Sequence, residues 1–305
     1  MIVIGDLTLD VVLSPERALA SATDVPGLVR LRQGGSAANA ARWFSRLGAQ
    51  TQLICSVGRD GPGRALVEAV RSDGVIVRAA RIAGRPTGRI GVLVGADGER
   101  SFVADRGAAD LLAPTDLRPA WFKAVDLLHV PFYSLLGEPL GSAGREGVRL
   151  AREAGAAVSL DLASVGPLLA AGRPAVLALI RSVAPDLLLG TAAELAALLD
   201  ATNRAVLGAR ALALAPVVIV KRGGDGATVH LLDGSGASIT FDVATRPLPA
   251  TDTTGAGDAF DAGFLASWLA AGGAATPVVL RRAVVAGHRA AARQVGSRRP
   301  ELALG

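Results

Sequence analysis

The chain reads as an α/β protein with a doubly wound, mostly parallel sheet and a second, smaller sheet. Two patterns carry that expectation. From residue 125 onward, short apolar strands at 125–130, 157–160, 186–189 and 217–220 alternate with helical stretches. Parallel strands need such crossovers, and ligands then gather outside the strands' carboxyl ends. Earlier, alternating runs at 75–80, 87–95 and 100–103 are broken by Gly84-Arg85-Pro86 and by Ala96-Asp97-Gly98, the latter as a hairpin turn, and predict the small sheet. Half of the 305 residues are hydrophobic and 37 are glycine, which suits a large core with close helix–sheet contacts.

In chain order, residues 1–4 form an apolar strand that opens onto Gly5-Asp6. A strand of mixed polarity covers 7–13, with Asp10 between Leu9 and Val11, and 25–31 is a third. Gln33-Gly34-Gly35-Ser36-Ala37-Ala38-Asn39 then opens a helix that runs through Trp43 and Phe44 and stops at Gly48. A glycine pair ahead of a small-residue helix lets a ligand approach the backbone closely. Asn39 lies one turn beyond Gly35, so both face one side. A strand at 51–57, a glycine-rich loop and a helix at 64–71 follow. Thr191 and Glu194 are spaced as the N-cap and N3 partners of a capping box. Strand 217–220 leads into Lys221-Arg222-Gly223-Gly224-Asp225-Gly226, and 228–232 with 238–243 form a hairpin. The last helix spans 277–294.

The chemistry concentrates in Ala250-Thr251-Asp252-Thr253-Thr254-Gly255-Ala256-Gly257-Asp258-Ala259-Phe260. This is a polar, small-residue turn entering a helix. Backbone N–H groups at such a turn, with the helix dipole behind them, suit a phosphate or a developing anion. Asp258 would repel that phosphate unless it takes a proton from the group attacking it. An acidic first turn on a well-capped helix is the plainer alternative.

The run Asp252-Thr253-Thr254-Gly255-Ala256-Gly257-Asp258 resembles, without a gap, the D-T-x-G-A-G-D signature of the ribokinase (PfkB) family of carbohydrate kinases. Gly34-Gly35 through Asn39 resembles that family's G-G-x-x-x-N motif, in the right order and more than 200 positions upstream. The resemblance covers residues 2 to about 296 and implies a single ribokinase-like domain over 1–305. It would be a three-layer α/β/α sandwich whose small β lid comes from segments at about 9–33 and 84–107.

It further implies an ATP-dependent phosphotransferase acting on a primary hydroxyl of a small sugar or sugar derivative. Asp258 would be the catalytic base, and Gly255, Ala256 and Gly257 the anion hole. Asp10, Gly34, Gly35 and Asn39 would hold substrate hydroxyls. Arg106 would face the substrate or serve as a local ion pair. Lys221, Gly223, Gly226, Thr254 and Gly257 would meet the nucleotide. Glu194 would organise Mg²⁺ through water, and Asp252 would support K⁺ or another monovalent cation. Ala286, Gly287 and Gly296 would border the adenine pocket or that cation site, with His288 a surface histidine. Three positions depart from the family pattern: Thr8 for Asn, Ala163 in D-x-N and Thr191 in N-x-x-E. A nucleoside kinase of the same fold is the nearer alternative, with Phe102 and Phe132 as candidates to face a base. A non-catalytic binding protein is the farther one, and an intact Asp258 argues against it.

Composition narrows the rest. The net charge is +5, carried almost wholly by arginine, since Lys123 and Lys221 are the lysines. That balance favours nucleotide-like anions. The basic cluster Arg281, Arg282, Arg289, Arg293, Arg298 and Arg299 has no interleaved aromatics, so nucleic acid is not an expected partner. One cysteine, Cys55, allows no intrachain disulfide and no cysteine-based metal site. No apolar run is long enough to span a membrane, and no basic-then-apolar leader opens the chain, so a cytoplasmic location is expected. P-loop, G-x-G-x-x-G and G-x-S-x-G motifs are missing, and His129, His230 and His288 are too scattered for a metal site. An exposed lid edge would allow pairing with a second copy.

Overall fold

The computed structural model describes residues 1–95, 100–248, 252–297 and 300–304. Thirteen strands are β1 (Ile2–Ile4), β2 (Thr8–Pro15), β3 (Gly27–Gly34), β4 (Gln52–Gly58), β5 (Ile76–Ile82), β6 (Arg89–Val94), β7 (Arg100–Asp105), β8 (Leu127–Pro131), β9 (Ala157–Asp161), β10 (Leu187–Thr191), β11 (Val217–Lys221), β12 (Ala227–Leu232) and β13 (Ser238–Val243). The α-helices among the described residues are α1 (Ser36–Arg46), α2 (Gly61–Ser72), α3 (Leu140–Glu153), α4 (Val165–Ala170), α5 (Arg173–Val183), α6 (Ala192–Leu199), α7 (Arg204–Leu212), α8 (Ala256–Ala270) and α9 (Pro277–Val295).

The large sheet has nine strands in the order β13-β12-β11-β10-β9-β8-β1-β4-β5. From β11 to β5 every pairing is parallel, and β12 and β13 close one edge as an antiparallel hairpin. Successive side chains alternate between faces. Val3, Leu53, Leu189 and Ile219 therefore enter one core with α1, α2, α8 and α9. Ile2, Ile54, Leu188 and Val218 enter the opposite core with α3, α5, α6 and α7. This is the doubly wound sheet that the alternation predicts, in the three layers that the resemblance implies.

The small sheet has four strands in the order β3-β2-β6-β7. One strand is reassigned. Residues 75–80 were expected in the small sheet, but β5 pairs in parallel with β4 from Gln52↔Ile76 to Gly58↔Ile82 and ends the large sheet. Its Val77 packs into the same core as Val57, which fixes that side. The turn expected at Ala96-Asp97-Gly98 lies outside the described residues, as do Thr251, Arg298 and Arg299. No helix among the described residues is long and apolar enough to cross a membrane.

Helix starts follow side-chain chemistry. Asp6, just after β1, accepts the Ala37 N–H at 3.1 Å and so caps α1 from outside the helix. Asp60 and Thr276 cap α2 and α9, each with proline in the first turn. Thr191 and Glu194 form a reciprocal capping box at α6. α8 and α9 pack almost backbone to backbone. A Cβ on Gly263 would lie 2.8 Å from both the Ala286 carbonyl and Ala290 Cβ. The fold thereby brings the carboxyl ends of β1, β9, β10 and β11 together with the starts of α1, α6 and α8.

Candidate active site

Gly255 turns the chain into α8 with φ of 76°, a left-handed conformation that favours glycine. The Ala256 N–H already donates to the Thr253 carbonyl at 3.0 Å, whereas the Gly257 N–H makes no hydrogen bond among the described residues. Asp258 follows in the same turn, and its Oδ2 accepts from Asn39 Nδ2 at 2.8 Å. The orientation of Asn39 is dictated from behind. Arg42 donates to Gln33 Oε1. Gln33 Nε2 therefore points at the Gly34 carbonyl, 2.7 Å away, and at Asn39 Oδ1, 3.2 Å away. With its oxygen so engaged, Asn39 presents its amide nitrogen to Asp258.

Asp258 is half-buried. Burial pushes its carboxyl up to about 7; the Asn39 bond opposes this, Asp161 and Asp6 add to it, and Lys221 opposes it. A proton affinity near neutrality is what a general base requires.

Beneath this turn lies a buried charge cluster. Lys221, at the end of β11, places Nζ 2.7 Å from Asp161 Oδ1 and 3.0 and 3.1 Å from the two oxygens of Asp261. Burial opposes the ammonium charge, but Asp161 and Asp261 outweigh it and raise the Lys221 pKa above its ordinary value. Burial, followed by Asp161, raises Asp261 well above the usual carboxylate range. His129 on β8 is also enclosed, bonded through Nδ1 to Ser159 Oγ at 2.9 Å, and burial lowers it to about 4. Cys55 is buried and pushed up to about 12, so it is no nucleophile.

On the other side of Asp258, Asp10 is buried at the mouth of the small sheet. Gly34 lies directly against it: a Cβ there would sit 1.8 Å from Asp10 Oδ1. Gly35 has φ of 98°, and a Cβ would meet the Asp6 carbonyl at 2.5 Å. Thr8 Oγ1 is buried without a partner. Arg106 pairs with Asp110 at 2.5 Å and Asp6 at 3.4 Å and lies 4.3 Å over the Tyr133 ring, leaving Nη2 buried and unpartnered. Phe132 is fully buried, while Phe102 is exposed on β7.

A cleft of about 430 Å³ opens on the opposite side of the Gly255–Gly257 turn. Its walls include Lys221, Gly223, Gly226, Thr253, Gly257 and His288. Gly223 is open to space, whereas a Cβ on Gly226 would strike the Val243 carbonyl at 2.2 Å. Three expectations change here. Thr253 lines the cleft; Thr254 spends its N–H on Asp252 Oδ1 at 2.9 Å and its carbonyl on Gln294 Nε2 at 2.8 Å. His288 is half-buried: it borders the cleft and packs edge-on against Phe260 with ring centroids 5.2 Å apart. Ala286 faces a separate groove with Arg281, Arg282 and Arg289, and Gly287 is pressed against Phe260.

Metal fit differs between the two expected ions. Among the described residues, no three His, Cys, Asp or Glu side chains cluster so as to hold a metal directly. Glu194 holds the Thr191 N–H through Oε2 at 2.7 Å, which leaves Oε1 for a water. That donor set suits Mg²⁺, which retains waters and binds mainly through phosphates. Asp252 is different. Its carboxylate already pairs with Arg32 at 3.2 Å and Arg100 at 2.9 Å. Two guanidinium groups thus occupy the carboxylate expected to support a monovalent cation, and it does not fit that role.

Sequence reading missed Gln33, Arg42, Asp261 and Gln294. Asp261 carried a signal: a carboxylate three residues after Asp258, among the apolar Phe260, Ala262, Phe264 and Leu265. Gln294, which bridges Trp43 Nε1 and the Thr254 carbonyl, carried none.

A family model described as pfkB family carbohydrate kinase matches residues 1–302. The chain is 33% identical over 281 residues to an ATP-dependent ribose-1-phosphate kinase from Halopiger xanaduensis, covering 88% of this chain and 84% of that protein. It is 30% identical over 278 residues to an aminoimidazole riboside kinase from Salmonella typhimurium, covering 86% and 79%. Among solved structures, a putative ribokinase II from E. coli in complex with ATP and Mg²⁺ superposes with a TM-score of 0.81 at 22% identity, covering 98% of this chain and 93% of that one.

Proposed function

The chain belongs to the pfkB family of carbohydrate kinases, and from that premise we propose that it transfers the γ-phosphoryl group of ATP to a primary hydroxyl of a small sugar. The observation that carries this reading is Asp258, oriented by Asn39 at 2.8 Å and set between the Asp10 side and the 430 Å³ cleft. Asp258 Oδ2 is held by Asn39, so Oδ1 takes the proton of the attacking hydroxyl. The sugar oxygen bonds to the γ-phosphorus as the bond from that phosphorus to the bridging oxygen breaks, and ADP leaves. The Gly255–Gly257 turn meets the charge on the transferring group, with the uncommitted Gly257 N–H as its principal donor. Asp10, with Gly34 and Gly35 beside it, accepts from the substrate's other hydroxyls. Gly223 and Gly226 border the nucleotide. Bound Mg²⁺ would supply neutralisation of phosphate charge, with Glu194 orienting its water. Residues 1–305 act as one domain, with the small sheet as its lid. The edge strands β3, with exposed Val29, and β7, with exposed Val103, each offer an edge for pairing with a second copy, which sedimentation velocity at several concentrations would detect as a dimer.

ADP release across sugars, sugar phosphates, sugar acids and nucleosides tests the proposal. Turnover on a sugar that collapses in Asp258→Asn supports it. Preference for a nucleoside moves the chain to the second reading, which the Salmonella typhimurium relative favours. Silence on every substrate overturns the substrate assignment.

A further inference from the structure

Lys221 lines the nucleotide cleft, yet its ammonium is committed elsewhere. Its side chain is 10% exposed, and Nζ lies within 3.1 Å of three carboxylate oxygens on Asp161 and Asp261. Those contacts join three elements. Asp161 ends β9, Lys221 ends β11, and Asp261 lies on α8 one turn after Asp258. Gly257 borders the cluster, since a Cβ there would stand at ordinary contact distance, 3.6 Å, from Lys221 Nζ. A largely buried cation bonded to two aspartates is costly to strip, because each freed charge would stay buried and unpaired.

We propose that Lys221, clamped between Asp161 and Asp261, is a positioning residue that anchors the first turns of α8 and sets the proton affinity of Asp258, rather than a ligand of the nucleotide phosphates. The proposal rests on Asp258 being the base.

Two physical consequences follow from the placement. The clamp fixes where the Gly257 N–H and the Asp258 carboxylate stand relative to the strand ends. It also places one positive charge and a carboxylate pair under the base. The charged groups facing Asp258 are Asp6 from the β1 end, Asp161 from β9, Lys221 from β11 and Asp261 from its own helix. Glu194 and His129 border the cluster through Asp161 and Lys221, and Arg106 faces Asp6. Removing Lys221 takes away the one cation of the clamp, so Asp258 holds its proton more tightly. Removing the Asp161 charge does the opposite.

The test uses the full chain with Lys221→Met and Asp161→Asn, and Lys221→Met/Asp261→Asn as a variant that leaves fewer unpaired charges if the single change fails to fold. ATP affinity is read by calorimetry, and kcat and its pH profile by ADP release. Expected are ATP affinities within about threefold of the wild type and kcat lower by about tenfold, with the acid limb displaced by about one pH unit upward in Lys221→Met and downward in Asp161→Asn. A tenfold or greater loss of ATP affinity in either lysine variant would make Lys221 a phosphate ligand and overturn the proposal. An acid limb unmoved in both single variants would leave only a structural anchor and overturn it too. If no substrate turns over even with the wild type, the substrate assignment fails separately, while the calorimetric arm still decides whether Lys221 binds phosphate.

Discussion

Asn39 Nδ2 stands 2.8 Å from Asp258 Oδ2, a contact that spans 219 positions and ties the start of α1 to the start of α8. A donor to the ionised carboxylate favours ionisation and partly offsets the burial that raises Asp258. In Asn39→Ala the acid limb of kcat/KM should move up by about one pH unit, because that offset is lost. Gln33→Leu should move it the same way by less, since Asn39 then loses only the bond that orients it. Unchanged profiles in both would remove Asn39 from control of the base.

Burial raises the Asp258 carboxyl to about 7, and as the proposed base it would act only when ionised. kcat/KM should therefore be flat above neutrality and fall about tenfold per pH unit below it. Asp258→Asn should lose about 10²- to 10⁴-fold in kcat at pH 8. A coupled assay for ADP between pH 5.5 and 9 measures both; an Asn variant within tenfold of wild type would exclude Asp258 as the base.

The same carboxyl has a consequence for stability. Its value is raised from 3.8 unfolded to about 7 folded, so between those pH values the folded chain holds a proton that the unfolded chain has released. Its contribution to stability is present at low pH and is lost as pH rises through that window. Asp258→Asn removes the loss. The variant's Tm relative to wild type should be higher at pH 8 than at pH 5 by about 2–4 °C. Differential scanning calorimetry at the two pH values reads this directly, and an advantage that instead grows at pH 5 would contradict the sign.

Asp252 links the loop before α8 to the small sheet through Arg32 on β3 and Arg100 on β7. At 39% side-chain exposure, each pair is worth only about 0.2–1 kcal/mol. Arg100→Ala should raise KM for the sugar by about two- to fivefold with little change in Tm. Because those guanidinium groups occupy the carboxylate, exchanging K⁺ for a bulky organic cation at constant ionic strength should change kcat by less than about twofold. A strong K⁺ requirement would show that the arginines yield to the ion.

Close packing of α8 on α9 depends on Gly263, where a methyl would sit 2.8 Å from Ala286 O and Ala290 Cβ. Gly263→Ala should cost about 1–3 kcal/mol through overpacking, despite alanine's better helix propensity. Urea titration would show it as a lower midpoint with an unchanged slope.

Much of this molecule was legible in its residues. Strand and helix order and the turn before Asp258 follow from local pattern, because apolar periodicity and glycine placement are properties of neighbouring positions. The pairing of β5 did not, since an alternating strand suits either sheet and only its partners decide. Nor did the hydrogen-bond chain from Arg42 through Gln33 and Asn39 to Asp258, although each residue was in plain view.

The sequence by itself determined which groups are candidates for the chemistry: a carboxylate after a glycine turn, a second motif with Asn39, and a lysine at a strand end. Only the tertiary structure decided what each faces. It turned Lys221 toward Asp161 and Asp261, gave Asp252 to two arginines and Thr253 to the cleft, and half-buried Asp258 near Asp161 and Asp6, which raises its proton affinity to near neutrality. Burial and charge partners are sums over residues far apart in the chain, so a linear pattern names the participants while the packing assigns their partners.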